Sequence, residues 1–154
     1  MSGDRELRHF EDVQVGETAE FGRYPVSAEE VRWFAERYDP QPFHLDEAAA
    51  RESIFGGLIA SGWHTCAMMM RMLCDHKVGD SASIGSPGFE DLAWLTPVRV
   101  GDVLRLRTEC IDKSRHPRRP DTGFIRYRAE VLNQEDTVVM RVTTIGLWRR
   151  RHTG

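Results

Sequence analysis

The fold is decided by one stretch of sequence, Gly62-Trp-His-Thr-Cys-Ala-Met-Met-Met-Arg-Met-Leu-Cys-Asp-His-Lys77. It contains no proline, and its apolar residues recur at the three- and four-residue spacing of an α-helix. One stripe of the predicted helix consists of Trp63, Cys66, Ala67, Met70, Leu73 and Cys74. Met68, Met69 and Met72 fill much of the remaining circumference. A helix that is apolar nearly all round belongs in a protein interior, so other parts of the chain must cover it.

The segments that can cover this helix follow it in the chain. Apolar and polar residues alternate in four segments that predict β-strands, 88–95, 103–111, 124–132 and 137–148. A weaker alternation predicts one more strand over 18–26. The four later segments succeed one another closely, which favours an antiparallel meander. A curved sheet around one buried helix is the α+β hot-dog architecture, and we expect the whole chain to form it as a single domain.

The first third of the chain predicts two shorter helices. Ser27 and Glu30 have the three-residue spacing of a capping box, and apolar residues at helical spacing follow them. A helix is therefore predicted over 28–38. Further along, Asp46 is expected to cap a short helix that runs through Arg51.

Composition narrows the classes of partner. The 154 residues include 21 Lys plus Arg and 24 Asp plus Glu, a formal net charge of −3, which argues against nucleic acid and anionic membrane surfaces. No apolar leader or membrane-length apolar run is present, so we expect a cytosolic protein. The three cysteines, Cys66, Cys74 and Cys110, lack C-x-x-C spacing and are expected to be buried reduced thiols.

An acid and an imidazole are held close together in Asp39-Pro-Gln-Pro-Phe-His44. Pro40 and Pro42 end the preceding helix, and the chain from Asp39 to His44 is expected to be extended and rigid. Such a pair suits general acid/base chemistry, because the prolines reduce the entropy cost of holding both groups in place. On spacing alone, a helix-end aspartate and a structural core histidine explain the same residues.

A second candidate is the start of the apolar helix, in Ile59-Ala-Ser-Gly-Trp-His64. Unpaired amides and the positive end of the helix dipole suit a developing oxyanion, and the amide of Gly62 is the candidate donor. A glycine needed only for close packing is the alternative. His64 is interpreted as a structural histidine, and a metal site with His44 lacks a third ligand.

Together these segments resemble a known family. Asp39-x-x-Pro42-x-His44-x-Asp46, followed by Phe55-Gly-Gly-Leu-Ile-Ala-Ser-Gly-Trp-His-Thr65, resembles the MaoC-like dehydratases, which include the (R)-specific enoyl-CoA hydratases. The resemblance covers about 10–148. It implies that Asp39 and His44 activate a water that adds to a trans-2-enoyl-CoA, and that the Gly62 amide binds the thioester carbonyl. It implies no cofactor, and assembly as a homodimer or a dimer-based oligomer.

The substrate-binding residues predicted around this centre are Gln41, Gly57, Ser61, Arg118 and Arg119. Gln41 stands where the family often has Asn, so the contacts that hold this loop are expected to differ. Ser61 stands where the family often has His, so the preferred acyl group is expected to differ. Arg118 and Arg119 lie in the longest predicted loop, 114–123, where they either meet coenzyme A phosphates or are simply solvated. A hot-dog thioesterase and a non-catalytic acyl-thioester binding subunit stay open as alternative functions.

Overall fold

The computed structural model describes residues 6–151, so most of the polar chain start lies outside the described residues. The helices are α1 (Ala28–Tyr38), α2 (Pro42–Leu45), α3 (Glu47–Glu52) and α4 (Gly62–His76). The strands are β1 (Thr18–Pro25), β2 (Ser83–Trp94), β3 (Val103–Arg115), β4 (Thr122–Leu132) and β5 (Val138–Arg149). The predicted first helix and first strand are confirmed. So is α3, whose Asp46 cap accepts the N–H of Ala48 at 2.9 Å.

The five strands form one antiparallel sheet in the order β1-β3-β4-β5-β2. Within it β3, β4 and β5 form the predicted meander, with Leu106 opposite Val131 and Ala129 opposite Val142. The prediction that the meander begins with the 88–95 segment is wrong, because β2 pairs with the far side of β5. Alternation identifies a strand, but it carries no information about which strand becomes its neighbour.

Helix α4 lies on this sheet and buries one face against it. Met68, Met69 and Met72 are 1%, 9% and 2% exposed, and they pack in the main core with residues of β3, β4 and β5. Trp63 and Met70, in the stripe first identified, are exposed. The prediction of a helix buried nearly all round is therefore wrong for this chain, since the sheet covers one side of it.

The start of α1 shows only half of the predicted capping box. The Ser27 hydroxyl accepts the N–H of Glu30 at 3.1 Å, as a helix cap should. The Glu30 carboxylate does not return to the Ser27 backbone. It accepts hydrogen bonds from Tyr24 and His64 instead, and so joins α1 to β1 and α4.

The expectation of an extended chain from Asp39 to His44 is also wrong, because α2 begins within it. Pro42 occupies the first helical position, where its missing N–H leaves no bond unmade and its fixed φ suits a helix. The N–H of His44 donates to the Gln41 carbonyl at 3.0 Å. This single turn directs the His44 side chain into the protein, where it is 4% exposed.

Two further expectations are adjusted by the structure. Strands β3 and β4 extend into the predicted loop, with Arg115 opposite Gly123, so their connection shortens to 116–121.

Cys110 is buried and Cys66 half-buried, and burial raises the pKa of both thiols, but Cys74 is exposed. Within 6–151, no helix has the length and hydropathy that a bilayer span requires.

Candidate active site

Asp39 lies where α1 ends, and backbone bonds hold it there. Its N–H donates to the Ala35 carbonyl at 2.9 Å, and its carbonyl accepts the N–H of Gln41 at 2.8 Å. Pro40 prevents the helix from continuing. The Asp39 side chain is 16% exposed, so its carboxylate is partly shielded but still reaches the surface of the protein.

The imidazole of His44 is fixed by a backbone carbonyl. Its Nδ1 lies 2.8 Å from the carbonyl oxygen of Ile59. A carbonyl only accepts, so the proton of this bond is assigned to Nδ1. In neutral His44 the lone pair is therefore on Nε2, which lies 3.3 Å from Asp39 Oδ2. With His44 neutral and Asp39 ionised, the two facing atoms are both acceptors, so a donor such as water is needed between them.

Two side chains donate to the Asp39 carboxylate. The Ser61 hydroxyl donates to Oδ2 at 2.6 Å, and the Gln41 amide donates to Oδ1 at 2.5 Å. Burial opposes ionisation of Asp39, but these two bonds, with His44 nearby, outweigh it and hold the pKa of the carboxyl below its ordinary value. Asp39 is therefore ionised at neutral pH.

The start of α4 lies against an indole ring. A Cβ added to Gly62 would lie 2.3 Å from Cε2 of Trp94, and Trp94 Nε1 donates to the Gly62 carbonyl at 3.0 Å. The close-packing interpretation of Gly62 is therefore sound. It does not compete with an oxyanion role, because the first amides of α4 have no carbonyl of their own helix to donate to.

These groups border a cleft of about 410 Å³. Asp39, Gln41, His44 and Gly62 supply polar groups or backbone. Apolar residues of the lining include Phe43, Phe55, Trp63, Trp94, Leu95 and Val139. A polar corner in an apolar cleft suits a substrate with one polar reacting centre on an apolar chain.

The structure unites some of the predicted site residues and separates others. Ser61, predicted to bind substrate, is fully buried, lies outside the lining of the cleft and donates to Asp39 instead. Gly57 lies outside the lining of the cleft. Arg118 and Arg119 lie in the β3–β4 connection, beside the end of β5. The cleft adjoins the start of β5, roughly 30 Å away along the strand.

Sequence reasoning missed Trp94 and the segment 95–98, which form one wall of the cleft. Trp94 lies within the predicted strand 88–95 and ends β2, and strand alternation does not reveal that its ring covers the start of α4. Among residues 6–151, no three His, Cys, Asp or Glu side chains converge in a way that could hold a metal ion.

Comparisons with known proteins agree with this architecture. A family model described as "MaoC like domain" matches residues 11–131. The 3-hydroxybutyryl-CoA dehydratase of Methylorubrum extorquens is 34% identical over 110 residues, 70% of this chain and 68% of that protein. The uncharacterized protein YdeM of Bacillus subtilis is 26% identical over 129 residues, 84% of this chain and 90% of that protein.

Solved structures agree as well. The crystal structure of a MaoC-like dehydratase from Rhodospirillum rubrum superposes with a TM-score of 0.86. It is 40% identical in sequence and covers 94% of this chain and 99% of its own. The predicted α+β hot-dog fold is thereby confirmed.

Proposed function

Because this chain belongs to the MaoC-like domain family, we propose that it adds water reversibly to the double bond of a trans-2-enoyl-CoA. The observation that carries the proposal is the close approach of Asp39 Oδ2 and His44 Nε2, 3.3 Å apart, at the edge of an apolar cleft. A water molecule can donate one proton to each of them. Its oxygen is then held by two bases, which is what a nucleophilic water requires.

The proposed reaction balances without a cofactor. The water oxygen forms a bond to C3 of the enoyl group as His44 Nε2 accepts one water proton. The π electrons of the double bond move toward C2 and the thioester carbonyl, which becomes an enolate. Protonated His44 then gives the proton to C2. Asp39 stays ionised throughout, orients the water and stabilises the imidazolium that forms in between.

The enolate needs a positive partner, and the start of α4 is placed to supply one. The amide of Gly62 lies at the N-terminal end of a helix that runs to His76, so the helix dipole adds to its hydrogen bond. Trp94 closes over Gly62 and holds its carbonyl, which orients the first turn. In the proposed complex the thioester oxygen binds at this amide and C3 faces Asp39 and His44, which line the same cleft.

We also propose that the chain works as a homodimer joined through β2. This strand is one edge of the sheet. Large apolar side chains are exposed along β2 and the neighbouring face of α4, namely Ile84, Phe89, Trp94, Trp63 and Met70. Between α4 and this half of the sheet lies a mostly apolar cavity of about 570 Å³. A second copy would cover both the free edge and the apolar face.

Such a dimer would bring the β3–β4 connection, which contains Arg118 and Arg119, near a cleft, whereas within one chain it lies too far from the cleft. A two-fold axis perpendicular to the sheet at the β2 edge makes the two β2 strands antiparallel, so the start of one lies beside the end of the other. Ser83 begins β2 and pairs with Trp148, near the β3–β4 connection. Arg118 and Arg119 of the partner subunit would then approach this chain's cleft, where coenzyme A phosphates need cations.

The test of the activity is a panel of enoyl-CoA substrates that begins with crotonyl-CoA and includes branched and dicarboxylic members. Hydration removes the absorbance of the enoyl group without releasing a thiol, and a metal chelator should not change the rate. Thiol release would identify a thioesterase instead. The absence of both, together with saturable binding of the substrates, would identify a non-catalytic acyl-thioester binding subunit.

Mixing two inactive or weakened variants tests the arrangement of the dimer. In a mixed dimer of Asp39→Asn with Arg118→Ala/Arg119→Ala, one cleft has an intact Asp39 and faces the intact arginines of the other chain. We expect that cleft to show the wild-type KM. A KM that stays at the value of the arginine variant would contradict the proposed position of the loop.

A further inference from the structure

A second acid–imidazole pair lies beside the proposed site and has no part in the reaction above. His64, in the first turn of α4, is 3% exposed, and its Nε2 lies 3.0 Å from Glu30 Oε1. Its ring stacks on Phe34 with centroids 4.9 Å apart and planes 11° apart. The Tyr24 hydroxyl donates to the same oxygen of Glu30.

The hydrogen bond between His64 and Glu30 runs in one direction, with His64 as the donor. Burial opposes ionisation of Glu30, but the bonds from Tyr24 and His64 prevail and hold the pKa of Glu30 below its ordinary value. An ionised carboxylate only accepts, so the proton of His64 is assigned to Nε2. Its Nδ1 is buried, and within the described part of the chain it has no hydrogen-bond partner. A buried unpaired acceptor opposes folding, so a histidine is a costly way to fill this space.

The pair connects α1 and α4, the helices at whose ends Asp39 and Gly62 of the proposed site lie. Asp39 lies at the end of α1 and Glu30 near its start, roughly 13 Å apart along the helix axis. Ser61 and His64 both lie at the start of α4. Ser61 ties the end of α1 at 2.6 Å, and His64 ties its start at 3.0 Å. Burial of Val31 and Ala35 and the bond from Tyr24 already hold α1 against the protein, and the ties at Ser61 and His64 add restraints at its two ends that fix its angle to α4.

We infer that His64 is a positioning residue: through Glu30 it sets the angle of α1 and so fixes Asp39 relative to the Gly62 amide. The inference rests on the proposed function, since it assigns a purpose to the distance between these two groups. A shift of the carboxylate by a fraction of an ångström would misplace the water but leave the binding of the acyl chain intact. The effect should therefore appear in kcat rather than in KM.

The principal variant is His64→Phe, which preserves the stack on Phe34 and removes the bond to Glu30. We expect kcat to fall about 10- to 100-fold with KM changed less than about threefold. His64→Gln can still donate to Glu30 and should recover a large part of the lost kcat. The matched control is Tyr24→Phe, which takes a donor from the same carboxylate without cutting the tie between α1 and α4. It should stay within about threefold of the wild type.

Two measurements separate positioning from a general loss of structure. In an Asp39→Asn background, His64→Phe should lower the residual kcat much less than in the wild type, because no carboxylate is left to position. Ring NMR signals of His44 should shift in His64→Phe and stay in place in Tyr24→Phe.

The outcomes are distinguishable from failure of the proposed function. If the wild type hydrates no enoyl-CoA, that function is wrong, and the His44 signals still decide the positioning role. Unmoved His44 signals in His64→Phe, or an unchanged kcat in an active enzyme, would overturn the inference. So would an equal loss of kcat in the presence and absence of Asp39.

Discussion

Helix α1 contributes to two carboxylate–imidazole pairs, Asp39–His44 at its end and Glu30–His64 near its start. In both, a buried imidazole lies close to a carboxylate, at 3.3 Å and 3.0 Å. The imidazoles are turned in opposite senses. His44 donates the proton on Nδ1 to the Ile59 carbonyl, so in neutral His44 the lone pair on Nε2 faces Asp39. His64 instead donates the proton on Nε2 to Glu30.

Proximity of an acid and a histidine does not by itself define a catalytic pair. The hydrogen-bond partner of the second ring nitrogen decides whether the nitrogen that faces the carboxylate is a donor or an acceptor. A carbonyl behind His44 leaves a base that faces the cleft. No such partner stands behind His64 within the described residues, so its ring serves as a donor that holds Glu30 in place.

The largest effect is expected from breaking the first pair. Asp39→Asn and His44→Ala should each lower kcat about 100-fold or more, since the first removes the negative charge that orients the water and stabilises the imidazolium, and the second removes the base. Initial rates of enoyl-CoA hydration measure this, and the far-UV spectrum and Tm verify folding. A near-native rate in either variant would contradict the assignment of this pair.

The next effect comes from the helix start that faces the first pair. In Gly62→Ala the new Cβ meets the Trp94 ring, which should cost ~1–3 kcal/mol of unfolding free energy and lower kcat at least about tenfold. Trp94→Leu in the same chain should restore most of the stability. Gly79→Ala is a suitable control, because the nearest atom to its Cβ lies at an ordinary 3.5 Å. A stable Gly62→Ala enzyme would mean that the indole moves aside easily.

A smaller effect, with a pH signature, is expected from Ser61→Ala. The hydroxyl helps to hold the pKa of Asp39 below its ordinary value, so its loss raises that pKa. Because Asp39 must be ionised, the acid limb of the kcat profile should move to higher pH. At the optimum, kcat should fall about tenfold, the equivalent of ~1.4 kcal/mol. An acid limb that stays in place would show that Asp39 does not govern it.

The smallest effect should follow from Glu30→Gln, and it contrasts directly with Asp39→Asn. The carbonyl oxygen of Gln still accepts from His64 and Tyr24, so the tie between the helices survives. We expect kcat to fall by no more than about threefold and unfolding free energy by ~1 kcal/mol. A loss as large as that of Asp39→Asn would mean that the second pair takes part in proton transfer.

Local signals predicted much of this molecule. Helix α1 follows from the Ser27 cap and the spacing of its apolar residues, and the strands follow from alternation, because each signal lies within a few consecutive residues. Residue chemistry makes Asp39, His44 and Gly62 candidates, the resemblance implies their roles, and the structure brings them to one cleft. The extended form predicted between Asp39 and His44 is wrong, since Pro42 suits a first helical position as well as an extended one.

The class of fold, the helix α4 and the residue types at the proposed site follow from the sequence, since periodicity and short motifs are local properties. The buried face of α4, the position of β2 beyond β5 and the cover of Gly62 by Trp94 follow only from the folded chain. So do the opposite senses of His44 and His64. Each of these depends on contacts between residues far apart in the chain, which no local pattern contains.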